Sequence, residues 1–169
     1  MCKPVLLIGM MGCGKSTIGR LLAGRMGLPL IDLDEEIARA AGRSIPEIFA
    51  EEGDVGFRLH ETAALERALD AGEAVIATGG GIVTREENIR MMREKGVVVW
   101  LCRPLEDMIA DVRQDTRPNL AGDKEERMRT LYAQRAHLYE AAAHLQFDNR
   151  MPPREAAKML EKLLTERKK

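Results

Sequence analysis

Near its amino end the chain reads "GMMGCGKST", Gly9 to Thr17, directly after the apolar run "VLLI" at 5 to 8. Glycine weakens a helix interior by up to about 1 kcal/mol per residue, and three glycines in six positions leave a strand little to pack. The stretch is a loop built for close approach. Gly9, four residues, then Gly14-Lys15-Ser16 is the spacing of a loop whose backbone N–H groups wrap phosphate oxygens. The cradle then comprises Gly12, Cys13, Gly14, Lys15, Ser16 and Thr17, with Lys15 reaching β- and γ-phosphates and Ser16 supplying a hydroxyl to Mg²⁺. At ordinary glycine frequencies a chance match in a chain of this size is expected at about the 1 % level or below. An ordinary glycine-rich turn is the competing reading. The helix predicted from Lys15 onward would aim its positive end at the same anion.

The rest of the chain alternates β-rich runs with helical patterns: "VLLI" (5 to 8), "LPLIDL" (28 to 33), "AVIAT" (74 to 78), "VVVWLC" (97 to 102) and "LQFD" (145 to 148). This predicts an α/β fold, a parallel sheet with helices on both faces. The runs are continuous rather than alternating, as in strands buried on both sides. Capping boxes at Ser44 with Glu47 and Thr84 with Glu87 mark helix starts, and Gly27, Gly53, Gly72 and Gly96 mark ends. At 169 residues, with no repeat or linker, one domain spanning 1–169 is expected. The 26 basic and 27 acidic side chains nearly cancel, so no global field argues for nucleic acid. The longest apolar run, Val97 to Cys102, is too short to span a membrane. Three cysteines without metal-type spacing or a signal peptide point to a reducing cytoplasm.

One interval resists the alternation. "RQDTRPNLAGDKEER", Arg113 to Arg127, is polar, carries Pro118 and Gly122 and has no apolar period. It reads as a mobile loop, and Arg113 and Arg117 suit a lid over phosphates, approximately residues 112–125. A solvated surface loop is the alternative. No N-K-x-D or D-x-x-G segment occurs, which argues against a guanine-nucleotide switch and for a kinase that closes over its substrates.

The second strand ends in "IDLDEE", putting Asp32 and Asp34 on one side of an extended chain at its carboxyl end. Asp32 is placed to hold the water shell of Mg²⁺, and Asp34 to accept a hydrogen bond from a substrate hydroxyl. Asp34 equally suits the cap of the helix "EEIARAA". "TGGGIVT" ends the third strand, where Gly79, Gly80 and Gly81 would let backbone approach a ligand and offer N–H groups to an anion. Arg58 in "FRLHE" and Arg135 in "QRAHLY" lie on predicted helices. Cys13, beside the phosphates at a helix N-terminus, is either a reactive thiol or a shielded filler. His60, His137 and His144, the last two seven apart on a predicted helix, form no metal set.

"GMMGCGKSTIGRLLA", "DLDEEI", "GRSIPEIF", "FRLHE", "TGGG", "TRPNL" and "QRAHLY" follow in the order and at the approximate spacing of one family, from the first strand to beyond Tyr139. In these motifs the chain resembles the shikimate kinases. The resemblance implies a three-layer P-loop kinase fold of the nucleoside monophosphate kinase type, with five parallel strands. It also implies Mg²⁺-dependent transfer of the ATP γ-phosphate to the 3-hydroxyl of shikimate, a step of chorismate and aromatic amino acid biosynthesis. By the same resemblance Asp34 holds the substrate hydroxyls and helps remove the proton. Arg58, Arg135 and the Gly79–Gly81 backbone bind carboxylate and ring, Arg117 meets the transferring phosphate, and Arg113 and Pro152 flank adenine. The implied partners are shikimate and ATP, with no nucleic acid or membrane, and the chain is expected to be a monomer. A kinase for gluconate or another hydroxy acid is the alternative enzyme, and a nucleotide-dependent binding module the alternative outside enzymes. Two residues depart from the family pattern, Asn119 and Asp54, and neither is expected to touch a residue of the chemistry.

Overall fold

The computed structural model describes residues 3–115 and 121–167, with the backbone alone at 112–115 and 121–123. The first apolar run forms β1, Val5–Ile8, buried along its whole length. It is paired on both edges in parallel register, with β3 (Val75–Ala77) and β4 (Val97–Cys102), so that Val5 stands opposite both Val75 and Val97. β2 (Leu30–Asp32) and β5 (Leu145–Asp148) complete a five-stranded sheet in the order β2-β3-β1-β4-β5. A strand with partners on both edges and helices over both faces has no wet side, which explains an apolar run without alternation.

The helices are α1 (Lys15–Met26), α2 (Leu33–Ala41), α3 (Ile45–Asp70), α4 (Glu86–Lys95), α5 (Leu105–Asp115), α6 (Ala121–Ala142) and α7 (Pro153–Glu166). α1 packs on β3 and α7, while α4 and α6 pack on each other and on β4. Gly19 lets α1 sit close to the sheet, since a Cβ there would lie 3.1 Å from Leu30 and 3.5 Å from Leu7. No helix among the described residues is long and apolar enough to cross a membrane.

The expected strands are all present, and the Ser44–Glu47 capping box closes in both directions. Gly53 breaks α3 with φ 68°, ψ −171°. Four expectations change. Thr84 does not cap a helix: it ends a 3-10 turn, Ile82–Thr84, where its hydroxyl donates to the Gly81 carbonyl at 2.7 Å, and α4 starts two residues later. Asp34 is not on the strand, because the Asp32 side chain accepts from the N–H groups of Asp34 and Glu35 and turns the chain into α2. His144 lies beyond α6, where its Nδ1 accepts from Val98 N–H at 3.0 Å. Finally, α5 runs to Asp115 and α6 begins at Ala121, so much of the interval 113–127 is helical rather than loop. Its segment from Ala121 is rich in helix formers and has the pair Arg129–Glu125 at 3.0 Å, but the first buried apolar anchor among its described side chains is Met128, too late for a period to show. The calls on Arg117 and Asn119, and on the central part of the lid, lie outside the described residues, as does the side chain of Arg113.

The Ser44 hydroxyl satisfies the Glu47 N–H while the Glu47 carboxylate reaches the Ser44 N–H at 2.7 Å. Ser44→Ala should therefore destabilise the fold by about 1 kcal/mol, read as a lower urea midpoint at unchanged slope.

Candidate active site

Because the sheet is parallel, all five strands deliver their carboxyl ends to one edge, and β1 lies where the connections change direction. The loop leaving β1 enters α1 through Gly14 at φ 100°, a left-handed conformation that a side chain would strain. Lys15 Nζ folds back over the loop and donates to the carbonyls of Gly9 at 2.7 Å and Met10 at 2.9 Å. Ser16 Oγ donates to Asp32 Oδ2 at 3.0 Å, and Asp32 Oδ1 accepts from Asp34 N–H at 3.1 Å. Asp32 thus holds the helix cap and the loop together. Gly14, Lys15, Ser16 and Asp32 line a cavity of about 290 Å³ that also takes in Asp34, Thr78, Gly79 and Gly80. Asp34 is open to solvent at the cavity wall, yet enclosed enough that burial raises its carboxyl, helped by Asp32 and opposed by Lys15 and Arg58.

The glycine triplet serves close approach. A Cβ on Gly79 would lie 2.6 Å from Glu61 Oε1 and 3.3 Å from Asp34 Oδ1, and one on Gly81 would run into the Arg58 guanidinium. Gly80 faces Arg135 Nη1, and its carbonyl accepts the Tyr139 hydroxyl at 2.5 Å. Burial pushes that phenol up to about 12. Three glycines thus let groups from α2, α3 and α6 meet at the end of β3.

Arg58 is mostly buried and pairs with Glu61, Nη1 to Oε2 at 2.5 Å, and with Asp54, Nη2 to Oδ1 at 3.1 Å. Asp54 therefore does touch a candidate site residue, against expectation. The spacings are i,i+3 and i,i+4 on the Arg58 face of α3, so both partners were within reach of a helical reading. The guanidinium carbon also lies 5.3 Å from the Phe57 ring centroid, and Phe57 stacks on Phe49 at 4.3 Å. Glu61 is 1 % exposed, and burial raises its carboxyl in spite of Arg58 beside it.

A second cavity, about 440 Å³, opens on the other side of the loop and shares Gly12, Gly14 and Thr17 with the first. Its far wall is Arg103, Asn149, Arg150, Met151 and Pro153. Pro152, the N-cap of α7, stands between the wall residues Met151 and Pro153. Cys13 is 1 % exposed, so the reactive-thiol reading gives way to a shielded filler: a side chain on Gly9 would collide with its Sγ at 2.8 Å. Ser16 and Asp32 offer the hard oxygen donors a magnesium ion takes.

The family model for shikimate kinase matches residues 11–165 of the chain. A shikimate kinase from Symbiobacterium thermophilum is 41 % identical over 165 residues, covering 94 % of this chain and 95 % of its own. The chain belongs to the shikimate kinase family. Among solved structures, a shikimate kinase from Acinetobacter baumannii in complex with shikimate superposes with a TM-score of 0.91 at 36 % identity, over 99 % of this chain and 96 % of that one. A gluconokinase from Sinorhizobium meliloti shares the fold alone, at 16 % identity and a TM-score of 0.57 over 98 % and 97 % of the chains. The family is that of ATP-dependent kinases acting on shikimate, and the gluconate alternative has correspondingly less support.

Glu61, Tyr139, Arg103 and Asn149 are site neighbours that the sequence reading passed over. The first two lie inside the quoted motifs "FRLHE" and "QRAHLY"; the last two stand immediately after β4 and β5, where a parallel sheet collects its functional groups.

The Glu61 shift has a consequence for stability. A carboxyl raised in the folded state binds its proton more tightly there than in the unfolded chain, so its contribution favours the fold at low pH and declines as pH rises through the folded value. The stability difference between Glu61→Gln and the native protein should therefore move in favour of Gln between about pH 5 and about pH 7.5, measured by urea titration. Movement the other way would mean that Arg58 holds the charge more strongly than burial penalises it.

Proposed function

We propose that the chain transfers the γ-phosphate of ATP to the 3-hydroxyl of shikimate at the smaller cavity, acting as a single-domain monomer in the cytoplasm. One observation carries the reading: a single cavity has Lys15 and Ser16 on one wall and Asp34 beside Gly79 on the other, so a phosphoryl donor and a hydroxyl acceptor can meet there. ATP would lie along the loop from Gly12 to Thr17, its base directed toward the larger cavity by Pro152 and its neighbours and by Arg113. Lys15 would exchange the Gly9 and Met10 carbonyls for β- and γ-phosphate oxygens. Ser16 and Asp32 would hold Mg²⁺; with both Asp32 oxygens already engaged, its part would be through bound water. When bound, the ion offsets charge on the transferring phosphate.

On the acceptor side Asp34 would hold the shikimate hydroxyls and take the 3-hydroxyl proton. Its raised carboxyl makes it a stronger base than an ordinary surface aspartate. Arg58, Arg135 and the Gly79–Gly81 backbone would bind carboxylate and ring, the planar guanidinium groups offering paired N–H donors. Arg117 would approach the phosphate as its charge develops, within a lid near 112–125. ADP release measured with shikimate, gluconate and a panel of nucleoside monophosphates tests the reading, and turnover with gluconate above that with shikimate would overturn it.

Lys15→Ala should abolish transfer with the fold intact, because the lost charge serves the phosphates; unchanged turnover would remove the loop from the chemistry. Arg58→Ala and Arg135→Ala should each cost about 2 to 5 kcal/mol in acceptor binding, seen as a much higher KM for shikimate with KM for ATP nearly unchanged. Loss of ATP affinity instead would reassign both arginines. Arg117→Ala should lower kcat more than it weakens shikimate binding, and a preserved kcat would make Arg117 a clamp only.

A further inference from the structure

An N–H in a phosphate loop points where the carbonyl of the same peptide unit lets it, since the two face opposite ways across a trans peptide. Carbonyl oxygens repel phosphate, so a loop that binds it needs its carbonyls turned outward and held. Within the loop, Lys15 Nζ takes the carbonyls of Gly9 and Met10. Two others are held from outside it: Arg103 Nη1 donates to the Gly12 carbonyl at 2.9 Å, and Asn149 Nδ2 donates to the Cys13 carbonyl at 2.7 Å.

Both donors are themselves fixed. Arg103 follows β4 directly and pairs with Asp111 Oδ2 on α5 at 2.5 Å. Asn149 follows β5 directly, and its N–H donates to the Cys102 carbonyl at 2.8 Å, carrying the β4–β5 ladder one step past the strands. The opposite ends of the two peptide units are the N–H groups of Cys13 and Gly14. Cys13 N–H donates within the loop to the Met10 carbonyl at 3.2 Å, a bond it would exchange for a phosphate oxygen. Gly14 must lack a side chain for Asn149 to come this near, for a Cβ would lie 2.8 Å from Nδ2.

We propose that Arg103 and Asn149 are positioning residues for the nucleotide phosphates: by drawing the Gly12 and Cys13 carbonyls outward, they aim the N–H groups of Cys13 and Gly14 at phosphate oxygens. The inference rests on the phosphate-loop reading above. Tripolyphosphate, which has neither base nor ribose, isolates the effect, because residues that orient the loop must weaken it as much as they weaken ATP. Asn149→Asp replaces a donor with a carboxylate facing a carbonyl, and Arg103→Gln removes the charge and shortens the reach.

Each variant should raise the inhibition constant of tripolyphosphate against ATP, and KM for ATP, by about tenfold. KM for shikimate should stay within about twofold, and Arg103→Lys should recover part of the loss. A merely structural role would shift both substrates together. If ATP weakens while tripolyphosphate does not, the residues touch base or ribose and the proposal is wrong; unchanged tripolyphosphate inhibition also overturns it. Should Asn149→Asp fail to fold, Arg103→Gln decides alone. Lys15→Ala separates the two levels: if it abolishes tripolyphosphate binding while the other variants keep it, only this inference falls, and if it too keeps binding, the phosphate-loop reading falls with it.

Discussion

Everything at the site hangs from the carboxyl end of β1. That strand is paired on both edges and fully buried, so the point where the chain leaves it is among the best-determined positions in the molecule. Thr78 extends the constraint sideways, its hydroxyl and its N–H both donating to the Leu7 carbonyl, at 2.9 and 3.2 Å. The loop that follows can then be shaped by small forces, because its two ends are set by the sheet and by α1. A parallel sheet brings the ends of β2, β3, β4 and β5 to the same edge, with Asp32, the glycine triplet, Arg103 and Asn149 on them.

Charge is packed densely along that edge. Arg58 and Glu61 form a pair that is nearly sealed from water, and such a pair gains little net stability, because desolvation offsets most of the attraction. Its presence is better explained by position. Glu61 and Asp54 hold the guanidinium from two sides against Gly81, with Phe57 beneath it, so its direction is fixed before anything binds. The same crowding keeps Asp34 and Glu61 above ordinary carboxyl behaviour, burial being the main cause for each. An edge lined with arginine and lysine therefore also contains acidic groups that are reluctant to ionise, and enclosure is the reason.

Much of this was legible from residues in order. The spacing from Gly9 to Ser16, the apolar runs and the Ser44–Glu47 box each carry a local physical demand that few alternatives satisfy. The misreadings came where two local signals competed. Thr84 has the pattern of a cap, but its hydroxyl turns back to Gly81; Asp34 sits two residues along an apparently extended run, but the Asp32 carboxylate captures its N–H. Residues 121–127 lack an apolar period because five of the seven, Asp123 to Arg127, are charged, and helix propensity was the only signal there.

The sequence by itself determined the class of loop, the parallel α/β architecture and the kinds of side chain at the strand ends, since these follow from backbone requirements and periodicity over a few residues. Only the tertiary structure decided which of those side chains meet. Tyr139 reaches the Gly80 carbonyl across 59 positions, Arg103 reaches Gly12 across 91, and Asn149 reaches Cys13 across 136. No local pattern encodes such pairings. They arise because β1 is inserted between β3 and β4, an order fixed by how helices cover both faces of the sheet rather than by neighbours in the chain.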